Sequence, residues 1–241
     1  MRLAGIIFDK DGTLFDFQAS WGAWTHGLVG RLAGPSPARQ ARLAEALGFD
    51  MEARAFRADS FVIAGSAADM IAGVSAALPD LAREVILREV IDGAGAAPQA
   101  PVAGLEPALA GLRSAGLRLG VATNDAEAPA VQHLEGAGID GFFDFVAGSD
   151  SGFGAKPAPG MLLGFCAALG LRPETVAMVG DSTHDLHAAR AAGMLRIGVL
   201  TGVADRAALE PHADLVFDSI AALPDWLASR NATSLSQTTM P

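Results

Sequence analysis

Short apolar runs punctuate the second half of this chain, at Leu117 to Ala122, Phe143 to Ala147, Val176 to Val179, Ile197 to Leu200 and Leu215 to Phe217. Runs of that length bounded by turn residues read as strands buried on both faces. Between and after them, apolar residues recur at helical spacing over Glu106 to Ser114, Ala126 to Ala137, Pro159 to Leu169, Asp185 to Ala192 and Ser219 to Ser229. This alternation predicts an α/β protein with a Rossmann-like, doubly wound, mostly parallel sheet and helices on both faces. Leu3 to Phe8 is one more such strand, with a turn signal directly behind it.

From about Phe17 to Ile91 the texture is different: helical spacing throughout and almost no strand signal. Arg39 to Leu47, Met51 to Arg57, Ala67 to Leu78 and Asp80 to Ile91 predict four helices. The uncharged stretch from Gly93 to Pro101 reads as a linker. The expected organisation is therefore a core of residues 1–15 and 97–230, a helical insert of residues 16–96, and a polar tail of residues 231–241 without fixed structure.

Composition narrows the partners. The chain has 241 residues with 27 acidic and 17 basic side chains, a formal net charge of −10. No block of basic residues interrupts that excess, so nucleic acid and anionic membranes are not expected partners. Hydrophobic residues make up 51%, yet no apolar run approaches the roughly 20 residues that span a bilayer. Leu3 to Phe8 ends at Asp9 and is too short for a secretory core, so a cytoplasmic location is expected. The single cysteine, Cys166, has small apolar neighbours and is expected in the core. Nothing in the sequence specifies an oligomeric state.

Candidate chemistry sits behind the strands, where an open parallel sheet binds ligands. The first is followed by Asp9-Lys10-Asp11-Gly12-Thr13, the next by Thr123-Asn124-Asp125, the third by Gly148-Ser149-Asp150 and then Lys156, the fourth by Gly180-Asp181 and, shortly after, Asp185. Two like charges about 4 Å apart repel by about 4 kcal/mol at an effective dielectric near 20. Gathering Asp9, Asp11 and Asp181 is therefore costly unless a hard divalent cation sits among them, and Mg²⁺ is the usual one when the substrate brings phosphate oxygens. The Thr123 hydroxyl, the Lys156 ammonium and backbone N–H groups would supply donors for the anion. Lys10 and Lys156 are the chain's two lysines.

Phe8-Asp-Lys-Asp-Gly-Thr-Leu14, Ala122-Thr-Asn124, Lys156-Pro-Ala-Pro159 and Val179-Gly-Asp-Ser-Thr-His-Asp185 resemble, in order and spacing, the four motifs of the haloacid dehalogenase superfamily, and most closely its phosphoglycolate phosphatase-like branch. The helical insert has the place and size of that family's cap. The resemblance implies a Mg²⁺-dependent phosphatase acting on a small phosphorylated metabolite, with Asp9 as the nucleophile that becomes an aspartyl-phosphate and Asp11 as acid and then base. It implies that Thr123, Asn124 and Lys156 bind the phosphoryl group and that Asp9, the Asp11 carbonyl and Asp181 hold the metal. Asp185 would orient Lys156 or reach the metal through water; the bare alternative is an N-cap. Asp11 argues against a dehalogenase, whose halide needs no proton. A sugar phosphomutase and a catalytically silent binding protein are the alternative functions.

Substrate choice is expected in the cap, with phosphoglycolate the favoured substrate. Trp21 and Trp24 are read as cap packing or as an aromatic rim. Arg31, Arg39, Arg42, Arg54 and Arg57 are read as solvated helix faces, one of them able to clamp a substrate carboxylate in the bidentate manner of a guanidinium. Lys10 departs from the family pattern, which usually carries an apolar residue there; its side chain is expected to point into solvent, the alternative being that it adds positive charge beside the nucleophile and biases substrate choice. His184 is expected at the surface, the alternative being a ligand.

Overall fold

The computed structural model describes residues 3–57, 59–63 and 65–238, with side chains to residue 230. A central strand, β1 (Gly5–Phe8), leads into helices α1 (Phe17–Ala33) and α2 (Pro37–Ala46), a short hairpin β2 (Phe49–Asp50) and β3 (Ala55–Phe56), and helices α3 (Ala67–Ala77), α4 (Arg83–Leu87) and α5 (Gly93–Gly95). Then follow α6 (Leu105–Ser114), β4 (Arg118–Ala122), α7 (Glu127–Gly136), β5 (Phe145–Ala147), α8 (Gly160–Leu169), β6 (Val176–Gly180), α9 (Thr183–Ala192), β7 (Leu195–Val199), α10 (Arg206–Leu209), β8 (Leu215–Phe217) and α11 (Leu223–Thr238).

Six strands form one parallel sheet in the order β5-β4-β1-β6-β7-β8. The α/β class with a mostly parallel sheet read from the sequence is thus what folds. Every residue of β1 and β6 is buried, because helices cover both faces and no polar side chain is tolerated there. The chain winds from β1 to one side through β4 and β5, then crosses to the other side at β6. The order reverses at β1, which is where a ligand crevice opens in such sheets. Phe8 is level with Val121 and with Val179, so Asp9, Thr123 and Asp181 all emerge at the same edge.

Residues between Phe17 and Ala97 pack a hydrophobic cluster of their own, distinct from the two that sandwich the sheet. Local structure there departs from the pattern-based expectation in three places. Met51 to Arg57 is not a helix: Asp50 Oδ1 accepts from the Glu52 and Ala53 N–H groups and starts a turn, and Phe49 pairs with Phe56 across the hairpin. Phe17–Ala33 forms one helix of 17 residues, capped by Asp16, whose side chain accepts from Ala19 N–H. The expected linker opens in helix, since a wide turn over Arg88–Asp92 carries α4 directly into α5.

At the other end, α11 continues through Thr238, across most of the stretch expected to lack structure; residues 239–241 lie outside the described residues. Cys166 is buried in α8 as expected. Among the described residues no helix is long and apolar enough to cross a membrane.

Candidate active site

Asp9 leaves β1 with its N–H donating to Val179 O at 2.8 Å, which fixes the residue against β6. Its side chain meets Lys156, whose Nζ lies 2.6 Å from Asp9 Oδ1 and 2.6 Å from Asp185 Oδ1. Lys156 is buried, and although burial opposes its charge, the Asp185 and Asp9 carboxylates outweigh that and raise its pKa above the usual lysine value. It is a fixed ammonium.

Asn124 holds the Lys156 loop in place. Its side-chain oxygen accepts from Lys156 N–H at 2.8 Å and its amide donates to Lys156 O at 3.0 Å. Thr123 is buried beside it, its hydroxyl accepting from Asp125 N–H at 3.1 Å. The expected phosphate-binding trio thus converges next to Asp9.

Asp185 is not an N-cap. Ser182 caps α9, and Asp185 stands three residues on, completing a capping box through its Oδ2. Its other oxygen faces Lys156, so a single buried carboxylate ties the helix start to the site lysine.

Asp9, Asp181 and Asp185 each offer a carboxylate oxygen within 4.8 Å of the others. Asp181 is buried, and burial first, then Asp9 and Asp185, hold its pKa well above the usual carboxylate range. Burial likewise pushes Asp9 up to about 7, with Asp185 and Asp11 adding to it and Lys156 opposing. Were all three carboxylates ionised, they would exceed the one ammonium by two negative charges in a buried site. That deficit and the all-oxygen donor set fit a divalent hard cation. Two glycines let the loops close on Asp181: a Cβ on Gly12, whose φ is 78°, would lie 2.3 Å from an Asp181 oxygen, and one on Gly202 would also overlap its carboxylate. The Thr201 hydroxyl donates to Gly12 O at 2.7 Å and locks this approach. The sequence does not mark Thr201 and Gly202, since a Thr-Gly after a strand is indistinguishable from an ordinary turn.

The structure overturns the expectation for Lys10. Its side chain is fully buried and points inward, with Nζ 2.8 Å from Asp11 Oδ1, 2.7 Å from Asp11 Oδ2, 3.5 Å from Asp125 Oδ2 and 3.1 Å from His133 Nδ1. The Trp21 ring lies beneath it at 5.3 Å. Burial acts against its charge, but Asp11 and Asp125 prevail and its pKa is raised. His133 donates from Nε2 to Ala94 O at 2.9 Å, so its Nδ1 accepts from Lys10 as a neutral ring. Burial and then the Lys10 charge lower its pKa to about 4. His133 carries no sequence signal as a site residue, being one apolar-face histidine of α7.

Asp11 therefore does not join the acidic trio through its side chain. Its Oδ1 also accepts from the Trp21 indole N–H at 2.6 Å, which links the helical insert to the loop after β1. Trp24 Nε1 donates to Gly93 O at 2.8 Å and is mostly packing. Asp9, Asp11, Trp21, Thr123, Lys156 and Asp181 share one cavity of about 770 Å³, counting the space at its open mouth. His184, expected at the surface, is half-buried and lines it.

Comparison with known proteins gives the family of the chain. A family model for haloacid dehalogenase-like hydrolases matches residues 3–193, and the chain belongs to that family. It is 35% identical over 201 residues to the "Probable phosphatase IndB" of Dickeya dadantii (strain 3937), covering 82% of this chain and 81% of that protein. It is 32% identical over 222 residues to the phosphoglycolate phosphatase of Caulobacter vibrioides (strain ATCC 19089 / CIP 103742 / CB 15), covering 92% of this chain and 89% of that one. Its fold matches the crystal structure of a "predicted phosphoglycolate phosphatase" from Haemophilus somnus 129pt with a TM-score of 0.72 and 21% identity, over 92% of this chain and 97% of that one.

Proposed function

We propose that the protein is a Mg²⁺-dependent phosphatase that hydrolyses a small-metabolite phosphate monoester through an aspartyl-phosphate on Asp9. The observation that carries this reading is the meeting of Asp9, Thr123, Asn124, Lys156 and Asp181 at the sheet edge where strand order reverses. An acid cluster beside a fixed ammonium has no structural use there that offsets its repulsion. The relatives named as phosphatases support the same class.

Asp9, Asp181 and the Asp11 carbonyl would hold Mg²⁺, which neutralises charge on the phosphoryl oxygens when bound. Lys156 and the Thr123 hydroxyl orient the phosphoryl group toward the Asp9 carboxylate. An Asp9 oxygen attacks phosphorus, the bond from phosphorus to the ester oxygen breaks, and Asp11 gives its proton to the departing oxygen. Water then attacks the phosphorus of the acyl phosphate and passes a proton to Asp11, the bond to the Asp9 oxygen breaks, and inorganic phosphate leaves. Asp185 keeps Lys156 in place throughout. The insert between Phe17 and Ala97 acts as a cap whose residues meet the alcohol half of the ester. Phosphoglycolate, favoured from the resemblance, is one member of this substrate class.

The test is acid-quench trapping with a phosphate ester labelled at phosphorus. Label should appear in the parent protein as an acid-stable, hydroxylamine-sensitive adduct and be absent from Asp9→Asn. A folded Asp9→Asn protein retaining more than about a tenth of the turnover would refute it, since uncatalysed phosphate-monoester hydrolysis is among the slowest reactions known.

A further inference from the structure

The residues between Phe17 and Ala97 give the cavity a largely apolar wall of Trp21, Phe56, Val62, Ile63, Met70 and Val90, together with Ser66, whose hydroxyl donates to Asp69 at 2.7 Å. Among the described residues no arginine lines it. Three of the cap arginines are spent elsewhere, Arg31 pairing with Glu89 at 2.7 Å, Arg39 with Asp80 at 2.8 Å and Arg57 with Glu45 at 2.9 Å. The carboxylate clamp expected from one of these is not formed. Both lysines are also engaged, Lys156 by Asp9 and Asp185, Lys10 by Asp11 and Asp125. The other basic side chain on the wall, His184, is carried by α9 at the phosphoryl end, next to Asp185.

The carboxylates of Asp11 and Asp125 line the same cavity. A second anion on the substrate would meet like charge and lose its water with no cation in exchange. A neutral apolar body would meet aromatic and aliphatic surface. Among the described cap residues that line the cavity, the Thr25 hydroxyl is the one buried side-chain polar atom without a hydrogen-bond partner in the protein. It offers one neutral hydrogen bond.

We propose that the alcohol half of the substrate is uncharged and predominantly apolar, with one hydroxyl-type hydrogen bond at Thr25, and that glycolate-like carboxylates are rejected. This rests on the phosphatase reading and narrows its substrate class. Glycolate is small and charged at the end that would face Phe56 and Met70, so it leaves the apolar wall unused and its own carboxylate unpaired.

The decisive comparison uses three alkyl esters in the presence of Mg²⁺: phosphoglycolate, its neutral isostere the 2-amino-2-oxoethyl phosphate, and benzyl phosphate. The expected order of kcat/KM is benzyl phosphate, then the amide, then phosphoglycolate, with benzyl phosphate at least about 100-fold above phosphoglycolate. The amide isolates the charge and benzyl phosphate adds the apolar contact. Ile63→Arg, which puts a cation on the wall, should raise the phosphoglycolate to benzyl phosphate ratio by at least about tenfold. If that variant fails to fold, the comparison in the parent protein decides alone. Phosphoglycolate turnover equal to or above that of both neutral esters overturns the inference while leaving the phosphatase reading intact. No turnover of any of the three, nor of nitrophenyl phosphate, by the folded Mg²⁺-loaded protein overturns the phosphatase reading and the inference with it.

Discussion

Replacing Lys10 with Met removes an ammonium that the fold has taken entirely out of water. Methionine keeps most of the unbranched stem and loses the ammonium that stands 5.3 Å from the Trp21 ring and 6.0 Å from the Phe15 ring, so the change is chiefly a loss of charge. What remains are the Asp11 and Asp125 carboxylates, with side chains 15% and 13% exposed, facing a site without a counterion. Breaking one partner out of a buried ion pair costs about 3–5 kcal/mol, because the other charge stays buried and unpaired. An exposed lysine, as expected before the fold was known, would contribute about 0–1 kcal/mol. The two possibilities are separated by more than the error of a denaturation curve.

Urea unfolding of Lys10→Met at neutral pH should therefore show a loss of about 3 kcal/mol, a large share of the 5–15 kcal/mol typical of a whole domain. Asp125→Asn supplies the internal control, since it removes one of the charges Lys10 serves. The double variant should lose about 1–3 kcal/mol less than the sum of the single losses. A Lys10→Met protein within about 0.5 kcal/mol of the parent, or strict additivity with Asp125→Asn, would refute the claim that this ammonium holds the two carboxylates together.

Three further outcomes follow from the site. Asp181→Asn should raise the Mg²⁺ needed for half-maximal activity by at least about tenfold and make the metal-free protein more resistant to urea, because it removes a buried carboxylate surrounded by like charge; titrations with and without chelator check both. His133 is neutral in the folded protein down to about pH 4 and protonated in the unfolded chain below about pH 6.5, so the unfolded chain binds the extra proton across that window; stability should rise with pH there, by at most about 1.4 kcal/mol per pH unit, and His133→Gln should flatten that rise in denaturation curves at several pH values. Asp11→Asn should slow phosphoryl transfer from an alkyl ester by roughly 10²- to 10⁴-fold and from nitrophenyl phosphate much less, with a burst of nitrophenol followed by slow turnover in stopped flow; equal losses for both esters would make Asp11 structural.

The sheet and its edge were readable because they depend on local signals. A buried strand needs an unbroken apolar run, and the residues that follow it are placed by strand register alone, so Asp9, Thr123 and Asp181 could be assigned to one edge before any contact was known. The same logic fails for the hairpin over Phe49 to Phe56, where strands of two residues leave no period to detect and an Asp50 turn decides the outcome. Lys10 shows the other limit. A lysine beside two aspartates looks solvated, and what buries it is a histidine 123 residues away and a tryptophan from the inserted helices. Burial of a charge is settled by partners brought together in space, and no spacing rule along the chain encodes them.

The distribution of charge at the sheet edge has a consequence for how an anion is admitted. Asp9 and Asp185 pair with Lys156 and Asp181 stands beside those two carboxylates, while Asp11 and Asp125 share Lys10. Ionised, these two groups carry two and one excess negative charges, and the chain's only lysines are already consumed in reaching that balance. A phosphate dianion approaching the cavity meets like charge on both sides, so Lys156 cannot act as a free electrostatic lure; its fixed position serves orientation. Attraction has to come from backbone N–H groups at the loops and from whatever cation the three carboxylates gather, the largest local charge such a site can hold. Specificity is then left to the part of the ester that lies beyond these charges, against the apolar wall of the insert, and Trp21 joins the two regions by reaching from that wall to the Asp11 carboxylate.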